Sequence, residues 1–220
     1  YGAGEKVIGA GLSNTAANGA FASVQRGIVQ SISGDNTFAG NVEISSAGIT
    51  RFGTQDGADL TLTGSITRGA GVTGVTVLFR PGISGDWVTV SGSGSNWDSE
   101  TLIFLTGGNT AAGGVRLGAN DALSTTATLR AGGNTTGSGT TLDLNGFNQT
   151  IGGLFNSNGT LHITNNAAAT NSVLTLNTAA DWSTDSVTNK TAIEDGLGQV
   201  SLVKTGSFTQ TLVGTHTYTG

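Results

Sequence analysis

The stretch Thr140 to Thr164, TTLDLNGFNQTIGGLFNSNGTLHIT, constrains the fold of this chain most. Leu142 and Leu144 alternate with Thr141 and Asp143; Leu161 and Ile163 alternate with Thr160, His162 and Thr164. A period of two marks a strand with one face in a core. Ile151, Leu154 and Phe155 lie between these runs, punctuated by Gly146, Gly152, Gly153 and Gly159. The stretch reads as three short strands joined by tight turns. Its register predicts Leu142, Leu144, Leu161 and Ile163 inside, together with Leu174 and Leu176 of a later strand, and places Asp143 and His162 outside.

The chain also repeats itself. Gln30-Ser-Ile-Ser-Gly-Asp-Asn-Thr-Phe-Ala-Gly40 matches Gln210-Thr-Leu-Val-Gly-Thr-His-Thr-Tyr-Thr-Gly220 without a gap. Upstream, Val24-Gln-Arg-Gly27 matches Val203-Lys-Thr-Gly206 with one residue of slack, so a motif over residues 24–40 returns over 203–220. A motif that returns within one chain marks a repeat architecture. Residues 1–220 read as a single repeat segment, cut from a longer array, with neither end carrying a cap.

The remaining strands are expected at Lys6 to Ile8, Asn41 to Ile44, Ile49 to Phe52, Leu60 to Ile66 and Val72 to Phe79. Further strands fall at Trp87 to Val90, Thr101 to Leu105, Val115 to Leu117, Ala127 to Arg130, Ser172 to Leu176, Gln199 to Lys204 and Gln210 to Val213. Phe21 to Ile32 fits either a helical or a strand period. Pro81 belongs at a turn or strand end, because it cannot donate to a ladder. Gly92 to Glu100 reads as a polar loop. Helices are disfavoured by the lack of a long 3.6 period and of charged faces; Glu194 to Gly196 admits one helical turn. Charged residues make up 10% of the chain, against about 25% in ordinary soluble domains, yet the apolar residues alternate, which argues for order. With about 20 to 25 residues per coil, the chain makes about nine or ten coils and a rod of about 45 Å.

LDLNGFNQTIGGL followed by TLHITN resembles the autotransporter-associated β-strand repeat family, as do Ser33 to Ile44, Val115 to Leu123 and Leu202 to Gly220. The resemblance implies a right-handed, single-stranded parallel β-helix; residue patterning alone says all-β with repeats. It further implies a segment of a large bacterial extracellular or outer-surface protein, a stalk, fibre or adhesin passenger. The absence of cysteine suits such a protein, which crosses an outer membrane unfolded.

Composition narrows the partners. Nine basic against fourteen acidic residues leave a net charge of −5, and the arginines are scattered. Nucleic acid requires clustered Lys and Arg, so it is disfavoured, as is an anionic membrane. No run reaches the roughly 20 apolar residues of a spanning helix, so direct membrane insertion is not expected. No signal peptide opens the chain. The partners expected are neighbouring repeats, end-to-end copies of the chain, and surface or host glycans.

Catalytic candidates are weighed against structural roles. His162 sits between two core positions, and His216 replaces Asn36 of the earlier copy, so both read as structural and no serine triad assembles around them. Paired carboxylates are the equipment of glycoside cleavage; Asp98 and Glu100, beside Trp97, are the best pair and are expected on one strand face. They lack attendant Lys, Arg or His in sequence, as do Asp56 with Asp59 and Glu194 with Asp195. Trp97, Asp98 and Glu100 are therefore surface candidates only, and the expected function is structural and non-catalytic. The alternatives are a polysaccharide-active enzyme or a carbohydrate-binding module. Trp87, Trp97 and Trp182 read as turn-closing residues before sugar platforms. Gly133 to Leu144 lacks the iteration of a calcium-binding repeat, and no metal or cofactor is expected. Asn134, Asn148, Asn158 and Asn189 open N-x-T triplets by composition. Asn145, Asn165 and Asn177 follow strands and suit left-handed turns or inter-coil ladders.

Overall fold

The computed structural model describes residues 6–9, 27–82, 85–105, 113–133, 139–155, 159–184 and 191–220. Most of Tyr1 to Asn18, residues Val24 to Arg26 of the first motif copy, and Asn134, Asn158 and Asn189 lie outside them. Within the described residues every regular element is a strand, and paired strands run parallel. The chain is a β-solenoid of about six turns.

Two long sheets organise it. The first holds seven strands: Gly34–Phe38, Ala58–Leu62, Trp87–Val90, Gly114–Leu117, Gly139–Asp143, Thr160–Thr164 and Thr191–Ile193. The second holds six: Val29–Ser31, Gly48–Thr54, Val75–Arg80, Glu100–Leu105, Thr128–Gly133 and Gly153–Leu154. A third face carries Lys6–Gly9, Asn41–Ile44 and Ile66–Arg68 at one end, and Gln149–Ile151, Asn171–Asn177 and Gln199–Thr205 at the other. Trp182–Ser183 and Gln210–Thr211 form a last pair.

Most coils are longer than the roughly 20 to 25 residues expected from repeat periods, as from Leu60 to Val88 or Ile163 to Ile193, so the chain makes about six turns and not the nine or ten expected. Coil length also varies: Gly139 lies beside Thr160, whereas the step from Leu161 to its neighbour Thr191 spends many more residues. Corners as well as strands consume residues: Leu60 to Ile66 is two strands separated by a corner at residues 63–65. Glu194 to Gly196 is an irregular corner, not a helical turn.

Register explains the core. On the seven-stranded sheet Leu60, Val88, Val115, Leu142, Ile163 and Ile193 stack in one inward row. Leu62, Val90 and Leu117 form the next, Leu144 follows just past the strand Gly139–Asp143, and all of these are buried. Leu161, Leu174 and Leu176 are buried as well. Full burial of each such side chain contributes about 1.5–3 kcal/mol. On the six-stranded sheet Phe52 packs on Phe79 (centroids 6.0 Å apart), and Trp97 meets Phe79 edge-on at 6.2 Å.

Asp143 departs from expectation. It occupies the outward row beside Arg116, yet it is fully buried. Its Oδ1 accepts from the backbone N–H of Asn145 and of Asn166, both at 3.0 Å, and Arg116 Nε donates to Oδ2 at 3.1 Å. Alternation decides which face a side chain leaves from; the turns of two coils then close over it. His162 stays half-exposed, with Nδ1 2.8 Å from Glu194 Oε1.

Candidate functional site

The surface candidates sit where the third face turns into the six-stranded sheet. Here residues 91–99 carry no strand, and the chain enters the strand Glu100–Leu105. Trp97 is not at the surface. It is fully buried, its Nε1 donates to Thr101 Oγ1 at 3.0 Å, and it completes the aromatic stack. Between Asn96 and Asp98 its apolar bulk is what anchors the loop inward.

Asp98 and Glu100 both face outward and are half-exposed, but each is paired, contrary to the sequence reading. Asp98 Oδ2 accepts from Arg68 Nη1 at 2.6 Å, and Oδ1 accepts from the Val75 N–H at 2.9 Å. Partial burial pushes the Asp98 carboxyl up; hydrogen bonds from the Val75 and Gly74 backbone, with the Arg68 guanidinium, outweigh it and hold the group below the usual carboxylate range. Glu100 Oε2 accepts from both Nε and Nη2 of Arg130, at 3.1 and 2.9 Å. The arginines were invisible as partners in sequence because they lie 30 residues away, one coil up or down.

The same rule holds elsewhere. Lys6 pairs with Glu43 and Arg116 with Asp143, each across adjacent coils. Asp195 Oδ1 accepts from the Val200 N–H and Oδ2 from Thr219 Oγ1; the Thr219 bond first, then the Val200 one, lowers its pKa. Trp87 lies under the Arg116 guanidinium, 4.3 Å from the ring centre.

Of the strand-end asparagines, Asn145 takes a left-handed φ of 49° and its Nδ2 donates to the Leu117 carbonyl on the preceding coil. Asn165 is fully buried: Oδ1 accepts from Gly146 and Ala167 N–H, while Nδ2 donates to the carbonyl of Gln199. It therefore ties three successive coils. Asn177 is exposed.

A cleft of about 330 Å³ opens at this corner. Asp98, Ser99 and Glu100 form one end and Trp182 the other; Thr126, Thr128, Gly152 and Ala179 line the rest. The indole of Trp182 packs over Gly153, where an added Cβ would sit 2.4 Å from Cδ1, and meets Phe155 edge-on at 5.4 Å. Gly153 also has a φ of 141°, so only glycine suits this position. Sequence reading named Trp182 without seeing that the coil brings it to the same groove as Asp98. No family model, curated protein or solved structure matches the chain.

Proposed function

We propose that this chain is a non-catalytic, right-handed solenoid within a repeat array of a large bacterial surface or secreted protein, of the kind its sequence resembles, serving as stalk, fibre or adhesive passenger. One observation carries the reading. The carboxylates that chemistry would need are engaged in coil stacking: Asp98 with Arg68 and Val75, Glu100 with Arg130, Asp143 with Arg116, Glu194 with His162. Asp98, held below the usual carboxylate range despite partial burial by the Val75 and Gly74 backbone and the Arg68 guanidinium, is a poor general acid. The repeated motif supports the reading too. Its first copy forms the strand Gly34–Phe38 on the seven-stranded sheet, and in the second the Thr217 N–H donates to Ile193 at the far end of that sheet. The right-handed sense accords with the strong handedness of parallel crossovers.

The experiment is incubation with acidic and neutral polysaccharides, followed by assay for new reducing ends and unsaturated products. None are expected. Products that vanish in Asp98→Asn or Glu100→Gln would overturn the proposal.

A further inference from the structure

We infer that the cleft between Glu100 and Trp182 binds a short neutral oligosaccharide lying along the solenoid axis. The inference rests on the non-catalytic reading, because it assigns Glu100 to holding a sugar rather than cleaving it.

The groove is built by stacking. Glu100 pairs in register with Thr128, and Thr128 with Gly153; Ala179 and Trp182 follow one coil further. Three inter-coil steps of about 4.8 Å give a track about 14 Å long, which suits an extended chain of sugar rings and exceeds a single one. Its middle is kept low by small residues. A Cβ on Gly152 would lie 2.3 Å from the Thr126 carbonyl oxygen, so no side chain can rise there.

The two ends offer what a sugar has to be gripped by. A pyranose presents an apolar C–H face and a rim of hydroxyls. Trp182 is half-buried, fixed beneath by Gly153 and at its side by Phe155, so its remaining surface is a rigid apolar platform facing the cleft. Aromatic side chains of this sort supply contact area at little conformational cost. At the other end Glu100 Oε2 is occupied by Arg130, while Oε1 makes no hydrogen bond among the described residues. That oxygen is an acceptor aligned by its own ion pair, and the guanidinium beside it is a donor. Asp98 lies at the same end. Each carboxylate is already matched by its own arginine, Asp98 by Arg68 and Glu100 by Arg130, so no unpaired positive charge is left there to draw a uronic acid chain, and neutral sugars are the class that fits.

The test is calorimetric titration of the full chain with cellohexaose, maltohexaose and chitohexaose, with hexagalacturonate as the anionic comparison. Tryptophan fluorescence and product analysis are read on the same samples. At least one neutral hexamer is expected to bind and shift the fluorescence, with hexagalacturonate weaker. Trp182→Ala should cost about tenfold or more in affinity, as for other aromatic anchors, and Trp182→Phe less. Glu100→Gln, which keeps the shape, should lose several-fold. Thermal melting of each variant confirms folding. No neutral hexamer bound at about 10 mM, where a millimolar Kd is visible, overturns the inference and leaves the structural reading standing. So does affinity unchanged in both Trp182→Ala and Glu100→Gln, or preference for the anionic hexamer. Binding accompanied by cleavage would instead refute the non-catalytic reading.

Discussion

The seven-stranded sheet and the middle of the third face solve the same problem by different means. Both must pair the backbone groups that each coil exposes to the next. The sheet does so with a parallel ladder running from Gly34–Phe38 to Thr191–Ile193. On the third face residues 91–99 and 118–126 form no strand, and side chains stand in for the missing peptide groups. Asn96 Oδ1 accepts from Arg68 N–H and Ser95 Oγ from Ile66 N–H. Asn120 Oδ1 accepts from Asn148 N–H, and Asn148 Oδ1 in turn from Val173 N–H. Gln149 both accepts from Leu123 N–H and donates to the Leu123 carbonyl, as a backbone unit would. Stacking thus demands a donor and an acceptor at coil spacing but does not demand that they be peptide groups. Where side chains supply them the backbone is free to bend, and the cleft at Asp98 opens at the edge of that region.

The largest effect should come from the regular side. Leu144→Ala removes a fully buried side chain and should cost about 2–5 kcal/mol, read as a lower midpoint in urea with an unchanged slope. Asn165→Ala strikes the corner where the two regions meet. It leaves the Gly146 and Ala167 N–H groups without their acceptor and the Gln199 carbonyl without this donor, and should cost about 1–3 kcal/mol. Asn148→Ala tests the third face alone. Here the loss should be about 1 kcal/mol, with faster hydrogen exchange at Val173 and little change at Leu142 or Ile163. If Asn148→Ala instead lowers protection along the whole seven-stranded sheet, the two faces are one cooperative unit and the distinction fails.

The smallest effect is in pH. Burial lowers the pKa of His216 from its ordinary 6.5, and its Nδ1 accepts from the Ile193 N–H. The unfolded chain therefore takes up the proton more readily than the folded one. Stability from this group is full above about pH 6.5 and declines as pH falls from there toward the folded-state pKa. The protection factor at Ile193, the exchange rate relative to the free amide at the same pH, should fall between pH 7 and pH 5 in the parent chain. His216→Asn, which copies Asn36 of the first motif, should remove that acid-dependent part; an identical pH response in the variant would assign it to another group.

The pairing of Asn120 with Asn148 was legible in principle. Gly118-Ala-Asn-Asp-Ala-Leu123 and Gly146-Phe-Asn-Gln-Thr-Ile151 align without a gap and set Asn120 on Asn148, its neighbour one coil on. That signal is faint because only the glycine, the asparagine and the final apolar residue are shared. The candidate carboxylates were legible as residues but not as pairs, since Arg68 and Arg130 reach them only once the coils stack.

Sequence alone determined the class and the inward face of the solenoid. A period of two is local chemistry: each of Leu142, Leu144, Leu161 and Ile163 sits beside the neighbours that define its side. The tertiary structure alone decided coil length, the burial of Trp97 and Asp143, and the meeting of Glu100 with Trp182 in one groove. Those depend on which residue lies one coil away, a separation that changes from coil to coil as the corners change. Local alternation carries no information about that separation, because a corner can lengthen without disturbing the strands on either side of it.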